Sequence, residues 1–218
     1  IEMEPSSVFI FPTKKFYDFV IKSRKWNQKN IKCDLDYSKG HSDFLIKGKN
    51  KRREKSKILY VGAHLRNTTQ TLSPNVFDTI YFEWQIFLLE TLKIIDKNIE
   101  SIVHPQSFLP RHKNPINSFD SRINFEDIID DFDILIFDHF KSTTFAKSLC
   151  TEKQIVFIDI GGNSMINAFK EKIEERCNFI IPFLDKNNRL RVETELLKES
   201  IYNNKKFDNF FFKELYCG

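Results

Sequence analysis

The sequence lacks the patterns that define several common classes of protein. None of its apolar runs approaches the roughly 20 residues needed to cross a bilayer, and no signal-peptide pattern is present. The cysteines are widely scattered and include no CxxC pair, which indicates neither a zinc site nor a disulfide framework. They are Cys33, Cys150, Cys177 and Cys217. Reduced thiols in the cytoplasm are therefore expected, with the inner face of the membrane as an alternative location.

Strong charge of one sign and glycine-rich phosphate motifs are also missing. The formal net charge is +4 in 218 residues, which favours anionic ligands but is too small to indicate nucleic acid, for which no motif is present. Neither GxGxxG nor GxxxxGK[ST] occurs, so a dinucleotide fingerprint and a P-loop are both unsupported, and the absence of GxSxG disfavours a serine hydrolase. Asp130, Asp131 and Asp133 are interpreted as a polar helix end, so no metal and no cofactor are expected.

What is present is the composition of a globular protein, with 41% hydrophobic residues and a length suited to one α/β domain plus an appendage. Residues 1–56 are predicted to be a connector or partial element that contains a short helix within residues 12–23. A basic run at residues 47–57 is interpreted as a solvated linker, with contact to an anionic surface as the alternative. Residues 57–218 are predicted to form a Rossmann-like nucleotide-binding domain.

From Lys57 onward, short apolar runs alternate with segments that have helical spacing. Strands are predicted within residues 57–64, 99–105, 133–137, 154–160 and 178–183, helices within 76–95, 124–132, 142–150, 164–177 and 192–203, and a loop over 106–121. Such alternation predicts βαβ units, and hence an α/β fold whose Rossmann-like parallel sheet carries helices on both faces.

Ligands of such sheets bind at the carboxyl ends of the strands, so the residues that follow each strand are the candidate site. These are Gly62, His64 and Arg66; His104 and Pro105; Asp138, Lys141, Ser142, Thr143 and Thr144; and Gly161 with Gly162. We call this edge the rim.

The hydroxyl cluster Ser142–Thr144 opens a predicted helix directly after a predicted strand. Helix N-terminal N–H groups, three hydroxyls and the neighbouring Lys141 would together bind one or two phosphates. The alternative is an ordinary N-cap, which needs only Ser142.

Two glycine positions on the rim have similar alternatives. Gly62 would let the backbone approach a ligand closely. Gly161 and Gly162 would do the same, or would simply form a tight turn.

His104 is predicted to lie exposed at the end of a strand, with Pro105 directing the exit of the chain. A histidine there can donate to a phosphate oxygen and can change charge near neutral pH. The alternative is a loop histidine without a task.

The segment IVHP at residues 102–105, followed by DILIFDHFKSTTFAKSLCTEKQIVFID at residues 133–159, resembles the carboxyl-terminal half of GT-B glycosyltransferases. More narrowly, it is similar to the bacterial capsule and lipooligosaccharide sialyltransferases and to the teichoic-acid glycerophosphotransferases, which share His-Pro and Ser-Ser/Ser-Thr motifs. The resemblance extends from about Lys57 to the end of the chain. It implies that His104 contacts the nucleotide phosphates and assists departure of the leaving group, and that Ser142 and Thr143 hold the phosphate.

The resemblance implies a donor-nucleotide-binding domain of a transferase that makes bacterial surface polysaccharide from a CMP- or UDP-activated sugar, with a glycan or lipid-linked acceptor. GT-B enzymes contain two Rossmann-like domains, and this chain starts at Ile1 without methionine. We therefore expect it to be part of a larger protein that binds nucleotide here, with a missing N-terminal domain or a second copy completing the site. The phenylalanine-rich segment 207–218 is expected to be exposed, packing on that domain or touching a membrane surface.

Two other functions remain open from the sequence. One is a sugar-nucleotide epimerase or hydrolase of GT-B fold, which would use the same rim with different acid–base residues. The other is a non-catalytic α/β module of flavodoxin-like or receiver-like fold, in which the rim hydroxyls are only helix caps.

Overall fold

A computed structural model describes residues 9–11, 13–24, 31–33, 56–63, 78–102, 117–119, 123–140, 142–161, 165, 167–203 and 207–217. The strands are β1 (Phe9–Phe11), β2 (Ile31–Cys33), β3 (Ile58–Val61), β4 (Glu100–Ile102), β5 (Asn117–Phe119), β6 (Ile134–Phe137), β7 (Gln154–Ile158), β8 (Asn178–Ile180), β9 (Phe183–Leu184) and β10 (Leu190–Arg191). The helices are α1 (Lys14–Arg24), α2 (Asp78–Ile95), α3 (Phe125–Ile128), α4 (Thr143–Leu149), α5 (Asn167–Arg176), α6 (Thr194–Tyr202) and α7 (Phe210–Tyr216). A 3₁₀ turn at Ile129–Asp131 follows α3.

The core of the fold is a six-stranded parallel sheet with the order β5-β4-β3-β6-β7-β8. Strands β1 and β2 form a separate parallel pair, and β9 and β10 form an antiparallel hairpin. The predicted Rossmann-like α/β fold with a parallel sheet is therefore confirmed. Counted along the chain, the order is 3-2-1-4-5-6, that of doubly wound dinucleotide-binding sheets, and not the 2-1-3-4-5 order of flavodoxin-like folds.

Both faces of the sheet are covered, which is why its strands are continuous apolar runs rather than alternating ones. On one face, Ile58 and Tyr60 of β3 and Ile136 of β6 pack against α2 and α6. On the other face, Leu59 and Leu135 pack in a second cluster with residues of α3, α4, α5 and α7. Helices on both faces were predicted from the sequence and are confirmed.

The predicted loop at residues 106–121 was wrong in one part, because residues 117–119 form the outer strand β5. Asn117 pairs with Glu100 and Phe119 with Ile102, both in parallel register. A strand of three residues is too short to show the period-2 alternation of apolar and polar residues in its sequence. Strand β5 forms through backbone pairing with β4.

The phenylalanine-rich segment is a second correction. Residues 210–216 form helix α7, in which Phe212 and Leu215 are buried in the core cluster that contains Leu135. Helix α1 packs on it, with the rings of Phe16 and Tyr216 5.3 Å apart. Because Phe212 and Leu215 are buried and Phe210 alone in this helix is exposed, the segment is core structure and not an exposed aromatic tail.

The acidic segment 130–133 ends a helix, as predicted. Asn124 occupies the N-cap position of α3 but makes no side-chain cap, and instead donates from Nδ2 to Asp127 Oδ2 at 3.2 Å. Asp133 Oδ2 accepts a hydrogen bond from the backbone N–H of Lys57 at 3.0 Å, which ties the start of β3 to the start of β6. The basic run at residues 47–55 lies outside the described residues.

Candidate functional site

The strand order produces a topological switch point between β3 and β6. These two strands are neighbours, with Ile58 opposite Ile134 and Val61 opposite Phe137. From β3 the sheet grows toward β4 and β5, whereas from β6 it grows toward β7 and β8. Doubly wound sheets bind their ligands in the crevice outside the carboxyl ends of such strands. The residues after β3 and β6, including Gly62 and the cluster Ser142–Thr144, therefore flank the crevice.

Asp138 follows β6 immediately and is buried, with 2% of its surface exposed. Its carboxylate accepts three side-chain hydrogen bonds: from Tyr60 Oη at 2.7 Å, from Tyr81 Oη at 2.9 Å to Oδ1, and from Trp84 Nε1 at 3.0 Å. A buried carboxylate requires such donors, because an unpaired charge away from water is strongly unfavourable. Asp138 thus joins β3, β6 and α2 beneath the switch point. The sequence predicted it as a phosphate contact on the rim, but its oxygens face these three donors inside the protein.

Burial and hydrogen bonding act on the charge of Asp138 in opposite directions. Burial raises the pKa of its carboxyl, and the hydrogen bonds from Tyr60, Tyr81 and Trp84 oppose part of that rise. Burial and the nearby Asp138 carboxylate hold the pKa of Tyr60 and of Tyr81 well above the ordinary value for a phenol. Both phenols therefore keep their protons at neutral pH and donate them to Asp138.

The hydroxyl of Tyr81 also binds the backbone that leaves β3. Its oxygen accepts from the N–H of Ala63 at 2.6 Å and from Gln85 Nε2 at 2.9 Å. Gln85 Nε2 also approaches the carbonyl oxygen of Ala63 at 3.2 Å. A phenolic hydroxyl has one hydrogen and two lone pairs, and in Tyr81 the hydrogen points to Asp138 and both lone pairs are occupied. The N–H and the C=O of Ala63 are both held by α2 side chains.

Gly62 is glycine for a reason that the sequence did not indicate. A Cβ at this position would lie 2.7 Å from Gln85 Nε2 and 2.8 Å from Tyr60 Oη, closer than real carbon atoms come to such neighbours. The absence of a side chain therefore makes room for the cluster around Asp138. The packing is thus a requirement for Gly62 inside the protein, and the close approach of a ligand to its backbone stays a prediction.

Ser142 is the N-cap of α4, so the simpler prediction for it is confirmed. Its Oγ accepts from the N–H of Phe145 at 3.0 Å, with extended φ and ψ of −102° and 144°. An N-cap needs only one of the three hydroxyls, because the side chain satisfies a single unpaired N–H of the first turn. Thr143 is exposed and Thr144 half-buried, and both follow the capping residue on the same turn.

The other predicted residues divide into those that the structure describes and those that it does not. Gly161 has a φ of 79°, and its N–H donates to Asp159 Oδ1 at 3.1 Å, which supports the tight-turn interpretation. The remaining predicted site residues lie outside the described residues. They are His64, Arg66, His104, Pro105, Lys141 and Gly162.

Within the described part of the chain, no group of three or more His, Cys, Asp and Glu residues is arranged to hold a metal ion. No helix among these residues has the length and apolar character needed to cross a bilayer.

Sequence reasoning missed four residues of the site: Tyr60, Tyr81, Trp84 and Gln85. The signal that marks three of them is the spacing of polar-tipped side chains at positions 81, 84 and 85, on the face of α2 that also carries the buried Leu88. Aromatic side chains with a hydroxyl or indole N–H on a buried face need polar partners, and Asp138 is that partner.

Comparisons of the chain with protein-family models, with curated proteins and with solved structures find no match. The function is therefore argued from the fold and from the residues around the switch point.

Proposed function

We propose that this chain forms the donor-nucleotide-binding domain of a glycosyltransferase that makes bacterial surface polysaccharide, with a CMP- or UDP-activated sugar as donor. The observation that carries the proposal is the position of Ser142–Thr144, which begin α4, the helix that comes after β6 at the switch point. That crevice is where sheets of this order bind nucleotides. The GT-B resemblance of the His-Pro and Ser-Thr motifs supplies the reaction class.

Transfer of the sugar requires fixed hydrogen-bond donors beside the nucleotide phosphates. Sugar transfer leaves negative charge on the departing phosphate, and donors already aimed at that position stabilise it. Ser142 uses a lone pair to accept from Phe145, so its hydroxyl hydrogen remains to be donated. The exposed hydroxyl of Thr143 and the first N–H groups of α4 are further donors. His104, by the resemblance, contacts the same phosphates and assists the leaving group.

The acceptor in this proposal is a glycan or a lipid-linked sugar at the inner face of the membrane. A second Rossmann-like domain, or a second copy of this one, would close the crevice and bring the acceptor to the donor sugar. The proposed reaction involves no nucleic acid, no metal and no further cofactor.

Calorimetric titration of CMP, CDP, UDP and GDP into the chain tests nucleotide binding. Thr143→Val removes an exposed hydroxyl and leaves the Ser142 cap intact, so a lower affinity for the preferred nucleotide supports the proposal. Ser56→Ala is the matched control, since Ser56 is an exposed hydroxyl at the amino end of β3, on the opposite edge of the sheet. Failure of the chain and of the full-length gene product to bind any of the four nucleotides would refute the proposal.

A product assay on the full-length gene product separates the transferase from its closest alternative. Release of CMP or UDP that depends on an added acceptor supports transfer. Release without an acceptor, or conversion of one nucleotide sugar into another, identifies a hydrolase or an epimerase instead. The variant His104→Ala should slow the nucleotide release in either case if this histidine assists the leaving group.

A further inference from the structure

The hydrogen-bond chain from Asp138 through Tyr81 to Ala63 connects a buried charge to the backbone at the edge of the crevice. Asp138 and Tyr81 are each 2% exposed, so neither side chain presents a polar atom to a ligand. Ala63, in contrast, belongs to the half-buried stretch that leaves β3 at the switch point. Any effect of the two buried residues on a ligand must pass through this backbone.

We propose that Asp138 and Tyr81 are positioning residues, which hold the Gly62–Ala63 backbone in the orientation that a nucleotide phosphate meets at the crevice. This inference rests on the proposed function for the identity of the ligand. The N–H of Ala63 and the amide of Gln85 can only donate to Tyr81 Oη, and they occupy its two lone pairs. The hydroxyl hydrogen of Tyr81 therefore remains for Asp138.

When Asp138 is ionised its charge strengthens the effect, because a hydrogen bond to an ionised acceptor is stronger than one between neutral groups. Polarisation of the Tyr81 hydroxyl by Asp138 makes its oxygen a better acceptor for the N–H of Ala63. Ala63 N and Tyr81 Oη are 2.6 Å apart, slightly closer than the usual N–H···O distance of about 2.7–3.2 Å. The turn after β3 is thus arranged before a ligand arrives, which reduces the ordering that binding requires.

Tyr60 provides a matched control for Tyr81. Both are tyrosines with 2% of their surface exposed, and both donate to Asp138, Tyr60 at 2.7 Å to Oδ2 and Tyr81 at 2.9 Å to Oδ1. Only Tyr81 also accepts from the backbone of Ala63. Tyr60→Phe and Tyr81→Phe therefore remove the same group and the same kind of bond to Asp138. They differ in the fate of the two groups that donate to Tyr81, the Ala63 N–H and Gln85 Nε2.

The first measurement is amide hydrogen exchange of Ala63 in the two variants, which needs no ligand. Loss of one buried hydrogen bond corresponds to about tenfold faster exchange of Ala63 in Tyr81→Phe than in Tyr60→Phe, while the amides of β6 respond alike in both. Equal exchange of Ala63 in the two variants overturns the inference.

The second measurement is the dissociation constant of the preferred nucleotide. Tyr81→Phe should weaken binding by about tenfold and Tyr60→Phe by much less, since only the former loosens the backbone of the site. Adding Asp138→Asn to Tyr81→Phe should weaken binding by less than the sum of the two single effects, because Asp138 and Tyr81 both interact with the N–H of Ala63 and with each other. If Tyr81 had a merely structural role, Tyr81→Phe would lower the stability of the protein without weakening nucleotide binding more than Tyr60→Phe does. If Asp138→Asn does not fold, the difference in nucleotide affinity between Tyr60→Phe and Tyr81→Phe tests the inference.

The two proposals fail in distinguishable ways. Absence of nucleotide binding by the unaltered protein, together with faster Ala63 exchange in Tyr81→Phe alone, overturns the proposed function and the nucleotide as ligand, and supports only the hold of Tyr81 on the Ala63 backbone. Binding by the unaltered protein that both tyrosine variants retain equally supports the proposed function and overturns the positioning role.

Discussion

Replacement of Gly62 by alanine tests the packing beneath the switch point. The new Cβ would lie 2.7 Å from Gln85 Nε2, so the side chain of Gln85 has to move away. That movement breaks its bonds to Tyr81 Oη and to the Ala63 carbonyl, each contributing about 1 kcal/mol. Alanine also lowers the conformational entropy of the unfolded chain, which stabilises the folded state by about 0.4–1 kcal/mol. The expected net loss is about 1–2 kcal/mol in the free energy of unfolding, measured by equilibrium urea denaturation with an unchanged m-value.

A second glycine separates this mechanism from a general intolerance of alanine. Gly161 has a φ of 79° and open space around its missing Cβ, so Gly161→Ala should cost about 1 kcal/mol through backbone strain alone. Removing the Gln85 side chain by Gln85→Ala should reduce the effect of Gly62→Ala by about 2 kcal/mol, because both Gln85 bonds are then already absent, and should leave the effect of Gly161→Ala unchanged. A Gly62→Ala variant within about 0.5 kcal/mol of the unaltered protein would refute the close packing described here.

Three further predictions concern other parts of the fold. Ser142→Ala should lower the free energy of unfolding by about 1 kcal/mol because it removes the cap of α4, whereas Thr143→Val should change it by less than about 0.5 kcal/mol; equal effects in urea denaturation would contradict the assignment of the cap. Phe212→Ala should lower the free energy of unfolding by about 3–5 kcal/mol, because the Phe212 side chain is 1% exposed. The matched variant Phe210→Ala should lower it by less than about 0.5 kcal/mol, because Phe210 is 61% exposed. Similar melting temperatures of the two variants would mean that α7 is not part of the core. Because burial raises the pKa of Asp138 in the folded chain, its contribution to stability is greatest below the ordinary carboxyl pKa and falls as the pH rises through the folded pKa. We therefore expect the difference in free energy of unfolding, unaltered protein minus Asp138→Asn, to decrease as the pH rises in an acid titration. An increase would show that the three hydrogen-bond donors lower the pKa of Asp138 by more than burial raises it.

The elements that could be predicted are those whose signal is local. Strands β3, β6 and β7 are short, fully apolar runs, as expected when both faces of a parallel sheet are covered. Helix α2 has apolar residues at helical spacing over a long segment without glycine or proline. Helix α7 was missed because seven residues are too few for a clear helical period, and its position on the sheet depends on packing with α1 and α4.

The site was predictable only in part, for the same physical reason. Position after a strand placed Ser142 and Gly62 at the rim, because the carboxyl ends of parallel strands share one edge. A charged residue after a strand is normally exposed, so Asp138 was assigned to the surface. It is buried instead because Tyr60 and Tyr81, from segments far away in the sequence, supply the donors that its carboxylate needs.

Apolar periodicity and helix caps act between residues close together in the chain, so they predict the class of the fold and most of its core elements, but not β5 or α7. Only the tertiary structure decided the strand order, and with it the switch point between β3 and β6. Parallel strands pair through backbone groups that are alike in every strand, so the pairing partner is selected by the packing of whole helices on the two faces. The same packing brings Tyr81 of α2 between Asp138 and Ala63 and converts three unremarkable positions into one hydrogen-bonded unit.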